Sequence, residues 1–148
     1  SLRSDVITAV LAQREAHPNA VVLVTGHSLG AAIALLAALE LQMKVGNVVI
    51  YDFGEPRVGN WYFAQFTNAK LQTRFRVVHE KDLVPHVPPL GKTPIISLDF
   101  WHEAYEVWQR GEQGLYTYTV CDSSGEDPAC SDSLMPWEMT PADHARYM

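Results

Sequence analysis

VVLVTGHSLGAA, residues Val21 to Ala32, runs four apolar residues into Gly26-His27-Ser28-Leu29-Gly30 and then into an alanine-rich helical pattern. This is a strand, a tight turn and a helix. A strand that reverses into a helix within two or three residues forces positive φ and crowding, so small residues must flank the serine; Gly26 and Gly30 are read as supplying that room. Ser28 then stands exposed at the strand's carboxyl end with a helix dipole aimed at it, as a nucleophile requires. The bland alternative is a glycine-rich turn in which Ser28 only caps a helix. β-branched residues before the turn, Ala31 and Ala32 after it, and Ile33, Leu35, Leu36, Leu39 and Met43 beyond favour the elbow.

The 148 residues are 47% hydrophobic and 19% charged, the composition of one soluble globular domain, and residues 1–148 are read as such. A net charge of -6, with eleven scattered Lys and Arg, argues against a nucleic-acid partner. The longest apolar run, Ala31 to Met43, is broken by Glu40 and too short to span a bilayer. Cys121 and Cys130 flank the turn-rich segment DSSGEDPA, a spacing that suits a local disulfide. Such a loop stabilises by roughly 2 to 3 kcal/mol and persists in oxidising compartments, so the expected location is extracellular. The alternative is two free thiols in a cytosolic protein.

Around the elbow the chain alternates helix and strand. Leu2, Val6, Ile7, Val10 and Leu11 predict an amphipathic helix over 2–17, stopped by Pro18. After the elbow helix, Gly46-Asn47 turns into the strand Val48-Val49-Ile50-Tyr51; the loop YDFGEPRVGN and a helix through Lys70 follow, then a strand from Thr73 to His79. Apolar runs in this order predict a mostly parallel sheet covered by helices on both faces. PHVPPLGKTP is neither helix nor central strand, and His102–Arg110 and Leu115–Cys121 read as strands joined by a turn at Gly111–Gly114.

A serine hydroxyl needs a histidine to take its proton and a carboxylate to orient that histidine. Asp82 follows a strand at its carboxyl end and is the best placed acid; Asp52 lies inside a strand and Asp99 in a segment with no turn signal. His86 is too near Asp82 in sequence. That leaves His102, in a predicted strand, and His144, on a loop; loop placement favours His144 as the base. His27 and His79 read as structural.

GHSLGAAIA, YDFGEPRVGN, RVVHEKDLVPHVPP, HEAYEVW and DHARYM, in that order, resemble the signatures of the class 3 lipases, the fungal lipase and feruloyl esterase family of α/β-hydrolases. The resemblance spans essentially the whole chain. It implies an α/β-hydrolase fold with Ser28 as nucleophile, Asp82 as acid and His144 as base, sets His102 aside as the family's non-catalytic histidine, and matches the Cys121–Cys130 pair to a family disulfide. It also implies that the Leu29 backbone N–H is one oxyanion donor. Family domains are longer, so the first strands, the lid and the second donor are expected on a second polypeptide, the amino-terminal half of the same precursor. An open edge on the elbow strand points the same way.

The expected activity is therefore that of a secreted carboxylic ester hydrolase, lipase-like, working through an acyl-enzyme. Feruloyl or phospholipid esterases are the alternatives within the class; a non-catalytic hydrolase-like binding subunit is the alternative outside it. Val84, Val87 and Leu90, with Ile95 and Ile96, form an apolar run after Asp82 that suits an ester or lipid substrate and contact with a lipid interface. Ala142 and Ala145 are small beside the histidine, which predicts a wide groove. No cofactor and no divalent metal are expected, since the six histidines are scattered without an H-E-x-x-H pattern and the two cysteines suit a disulfide rather than a zinc site.

Overall fold

In the computed structural model, described over residues 1–90, 99–111 and 115–147, the elbow strand β1 (Val22–His27) pairs in parallel with β2 (Val48–Phe53) from Val22↔Val48 to His27↔Phe53. β2 in turn pairs in parallel with β4 (Thr73–His79), and β4 with β6 (Glu106–Arg110). The last strand, β7 (Thr117–Val120), is antiparallel to β6, closing a five-stranded sheet in the order β1-β2-β4-β6-β7. A two-residue ribbon joins β3 (Gly59–Asn60) to β5 (Phe100–Trp101). Because β1, β2 and β4 run the same way, their carboxyl ends share one rim. The loops bearing Ser28, Gly54 and Asp82 therefore open together.

Helix α1 (Leu2–Ala16) precedes β1, α2 (Leu29–Val45) connects β1 to β2, and α3 (Trp61–Lys70) connects β2 to β4. Alanines make α2 narrow on its inner face: Ala31, Ala34, Leu35, Ala38, Leu39 and Leu41 are buried. Most of them join Val48, Ile50 and Leu71 in the main core, onto which Ile7 and Val10 of α1 and Phe63 of α3 also pack. All three helices thus cover the sheet face that carries Val48 and Ile50. The opposite face is barer, with Leu23 and Tyr51 exposed and the Tyr51 ring stacked on Phe75.

α1 ends where Pro18 requires, its His17 N–H closing on Gln13 O at 2.8 Å. Arg14 then donates to the carbonyls of Val45 and Gly46, satisfying the carboxyl end of α2. The expected disulfide between Cys121 and Cys130 is formed.

Three local readings need correction. A Cβ at Gly26 would lie 2.4 Å from Gly30 O, so glycine is obligatory there, but a Cβ at Gly30 would meet nothing within 4 Å. Gly30 faces the uncovered side of the elbow. The strand expected over His102–Arg110 starts only at Glu106, because His102 turns inward to donate from Nε2 to Pro85 O at 2.7 Å, leaving the line a strand would follow. The strand expected over Leu115–Cys121 is confined to Thr117–Val120. The apolar pair Ile95 and Ile96, the whole of GKTP and residues 112–114 of the turn expected at Gly111–Gly114 lie outside the described residues.

Candidate active site

Ser28 sits between β1 and α2 with φ 60° and ψ -132°. A side chain larger than glycine's is strained there, and the strain is held by the Ser28 N–H donating to Phe53 O at 2.9 Å and by the Ser28 carbonyl accepting from Ala31 N at 2.9 Å. This conformation lifts the hydroxyl out of the strand line, at the amino end of a 17-residue helix. The Leu29 N–H belongs to the first turn of α2, whose N–H groups have no acceptor inside the helix.

Asp82 is fully buried just beyond β4. Its Oδ1 accepts from Val84 N at 2.8 Å, and its Oδ2 faces His144 Nδ1 at 2.8 Å. With that nitrogen donating to the carboxylate, His144 Nε2 carries the free lone pair. His144 lies on a single 3-10 turn (Asp143–Ala145), and the tail bearing it is anchored by Thr140 N donating to Lys81 O at 2.8 Å. The His144 ring stacks on His27 with centroids 4.5 Å apart, and His27 Nε2 donates to the His144 carbonyl at 2.9 Å. His27, read from sequence as structural, thus seats the histidine next to Ser28. The structure brings Asp82 and His144 into contact; between Ser28 Oγ and His144 no hydrogen bond occurs among the described residues.

Two participants went unseen in the sequence. Tyr147 donates from Oη to Asp82 Oδ2 at 2.5 Å and accepts from His79 N at 3.1 Å. Burial, and then the neighbouring Asp82 carboxylate, push the phenol well above its ordinary range, so it is held as a donor. Gly54, at φ 59°, packs so closely that a Cβ would come within 3.0 Å of Asp82 Oδ2 and of the His144 ring. Its position at the carboxyl end of β2 was the only available signal. Two other histidines are spoken for: His86 is buried between the carbonyls of Asp82 and Ser131, and His102 is buried against Pro85.

A cleft of about 340 Å³ beside the pair is lined by His27, Phe53, Ala145 and Tyr147. Of the three apolar residues expected at the substrate, Val84 is half-buried in a 3-10 turn while Val87 and Leu90 are 40% and 42% exposed; none of them lines this cleft.

A half-buried serine on a strained strand–helix turn, with an acid–histidine pair on the same rim, defines the α/β-hydrolase class. The sequence profile of the class 3 lipases matches residues 1–92, and the chain belongs to that family. It is 38% identical to the Rhizopus niveus lipase over 97% of this chain and 36% of that protein. The fold superposes on Rhizomucor miehei triacylglyceride lipase with TM-score 0.86 and 34% identity, covering 99% of this chain and 54% of that one. The same TM-score of 0.86, at 36% identity and with 99% and 54% covered, relates it to a triacylglycerol lipase whose catalytic centre is a serine protease triad. The chain therefore spans about half, or less, of the length of the relatives it matches.

Proposed function

We propose that this chain carries the catalytic machinery of a carboxylic ester hydrolase acting on lipid esters, with Ser28 as nucleophile, His144 as general base and Asp82 as the orienting acid. The observation that carries the reading is the 2.8 Å contact between His144 Nδ1 and the buried Asp82 carboxylate, set beside the strained Ser28. His144 Nε2 takes the Ser28 proton as Oγ attacks the ester carbonyl, then returns it to the departing alcohol; water repeats the sequence on the acyl-enzyme. Asp82 stabilises the imidazolium, and three hydrogen bonds keep it from rotating away. The Leu29 N–H is the oxyanion donor this chain contributes. Phe53 and Ala145 in the cleft wall supply apolar surface for the acyl group, whereas Val84, Val87 and Leu90, expected there from the sequence, lie outside the cleft.

Two further features of the reading concern the whole protein. The Cys121–Cys130 disulfide supports an extracellular location. The edge of β1, unpaired among the described residues and with Val21 and Leu23 exposed, supports completion of the sheet by the amino-terminal half of the same precursor, which would also bring a second oxyanion donor. Fluorophosphonate labelling followed by peptide mapping tests the assignment: modification at Ser28, abolished in Ser28→Ala, is expected. Labelling at another residue, or none in an active preparation, would overturn it.

A further inference from the structure

Behind the catalytic rim the sheet face that carries the core turns polar. Asp52, Glu55, Arg76, His102, Glu103 and Glu106 are all at least 96% buried there. Arg76 is bonded to Glu106 at 3.1 Å and to the Gly125 carbonyl at 3.1 Å. The four carboxylates are faced by two guanidinium groups, Arg74 and Arg76, so two of the four negative charges must be cancelled by protons or by a cation. Burying such an excess without a partner is prohibitive.

Within this cluster three ligand atoms converge. One atom each from Glu55, His102 and Glu103 lies within 4.8 Å of the others. Apart from the facing Glu103 carboxyl, the Glu55 oxygens meet no hydrogen-bond partner among the described residues, and His102 Nδ1 meets none. His102 is also set in the tautomer a ligand needs: its Nε2 donates to Pro85 O at 2.7 Å, which leaves the Nδ1 lone pair pointing into the cluster. One shared proton between the two glutamates satisfies a single pair of atoms. A cation accepts lone pairs from all three at once and cancels the excess charge.

We propose that Glu55, His102 and Glu103 form a structural site for a divalent transition-metal ion, with two carboxylates and one imidazole suiting zinc. The ion would pin the loop after β2, where Glu55 follows Gly54, to the segment before β6 and, through Pro85, to the turn after Asp82. It stands behind the catalytic residues and takes no part in the ester chemistry, so the proposal is independent of that reading. Its burial means that it is taken up during folding.

The test is metal content and stability. The protein is produced in zinc-supplemented and in zinc-depleted medium, and gel-filtered samples are analysed by plasma mass spectrometry and thermal melting. About one zinc per chain is expected from supplemented cultures, with a melting temperature higher by roughly 5 °C or more than in the depleted preparation. Glu55→Gln and Glu103→Gln, each nearly isosteric, should each lower the zinc content at least tenfold. Should either variant fail to fold, cobalt-loaded wild type decides, because ligand-field bands reporting one imidazole nitrogen are expected. Wild type without stoichiometric zinc, variants that retain it, equal melting temperatures, or a cobalt spectrum with oxygen ligands alone would overturn the site in favour of a proton shared by the two glutamates.

Discussion

Asp82, the acid of the proposed triad, illustrates how much of a carboxylate's behaviour is set by neighbours. Its Oδ2 serves both His144 and Tyr147, and the Tyr147 phenol, kept protonated, always donates. A hydrogen bond to a charged group contributes about 1.5 to 3 kcal/mol. Tyr147→Phe should therefore lower kcat about tenfold with little change in KM, and lower the melting temperature; steady-state kinetics with unaltered kcat would show that Val84 and His144 alone hold the carboxylate. Ala145 makes the complementary case for specificity. It lines the cleft next to His144 with a single methyl group, so Ala145→Leu should narrow the space and shift preference toward shorter acyl chains. A chain-length profile on nitrophenyl esters that matches wild type would remove Ala145 from the substrate path.

The elements differ in how much support they receive. α3 is capped by Asn60, whose Oδ1 accepts from Phe63 N at 2.9 Å, and it buries only Ala64 and Thr67. With so little burial the cap matters, and Asn60→Ala should cost about 1 kcal/mol in denaturant unfolding. A midpoint indistinguishable from wild type would mean that packing alone holds α3. At the other end of the sheet, α1 has no buried residue, and Leu2, Val6 and Leu11 are exposed along it. Its attachment rests on the partly buried Ile7 and Val10 packed against the core, the paired contacts of Arg3 with Glu40, and the Arg14 clamp. The same helix, read from its periodicity, has an apolar face; the structure shows that only part of that face meets this chain.

At the scale of the molecule, buried charge makes stability depend on pH. Asp132 lies 3.4 Å from the Arg57 guanidinium, which Glu126 already engages at 2.7 Å. Burial, then the hydrogen bond with the Glu126 carboxylate, push Asp132 up to about 8. A carboxyl whose folded pKa is raised contributes stability that is complete below its ordinary range, near pH 4, and is lost as pH climbs through about 8. Wild type should melt at progressively lower temperature across that window, and Asp132→Asn should flatten the decline. Parallel curves for the two proteins would assign the pH dependence to other groups.

What local sequence could determine was whatever depends on neighbours in the chain. The Gly26 contact, the strained φ of Ser28, the stop at Pro18 and the apolar runs of β1, β2 and β4 all follow from sterics and periodicity within a few residues. Motif order then singled out Ser28, Asp82 and His144 as candidates, and the contact between Asp82 and His144 spans 62 residues. Tertiary structure alone decided which partners meet across such distances: Tyr147 reaching Asp82, Gly54 pressed against the pair, and Glu55 beside His102 and Glu103. These depend on the parallel register that brings strand ends to one rim and on the path of the loops beyond it. No periodicity records that, because a buried polar residue at a loop position looks the same in sequence as a solvated one until the chain has folded over it.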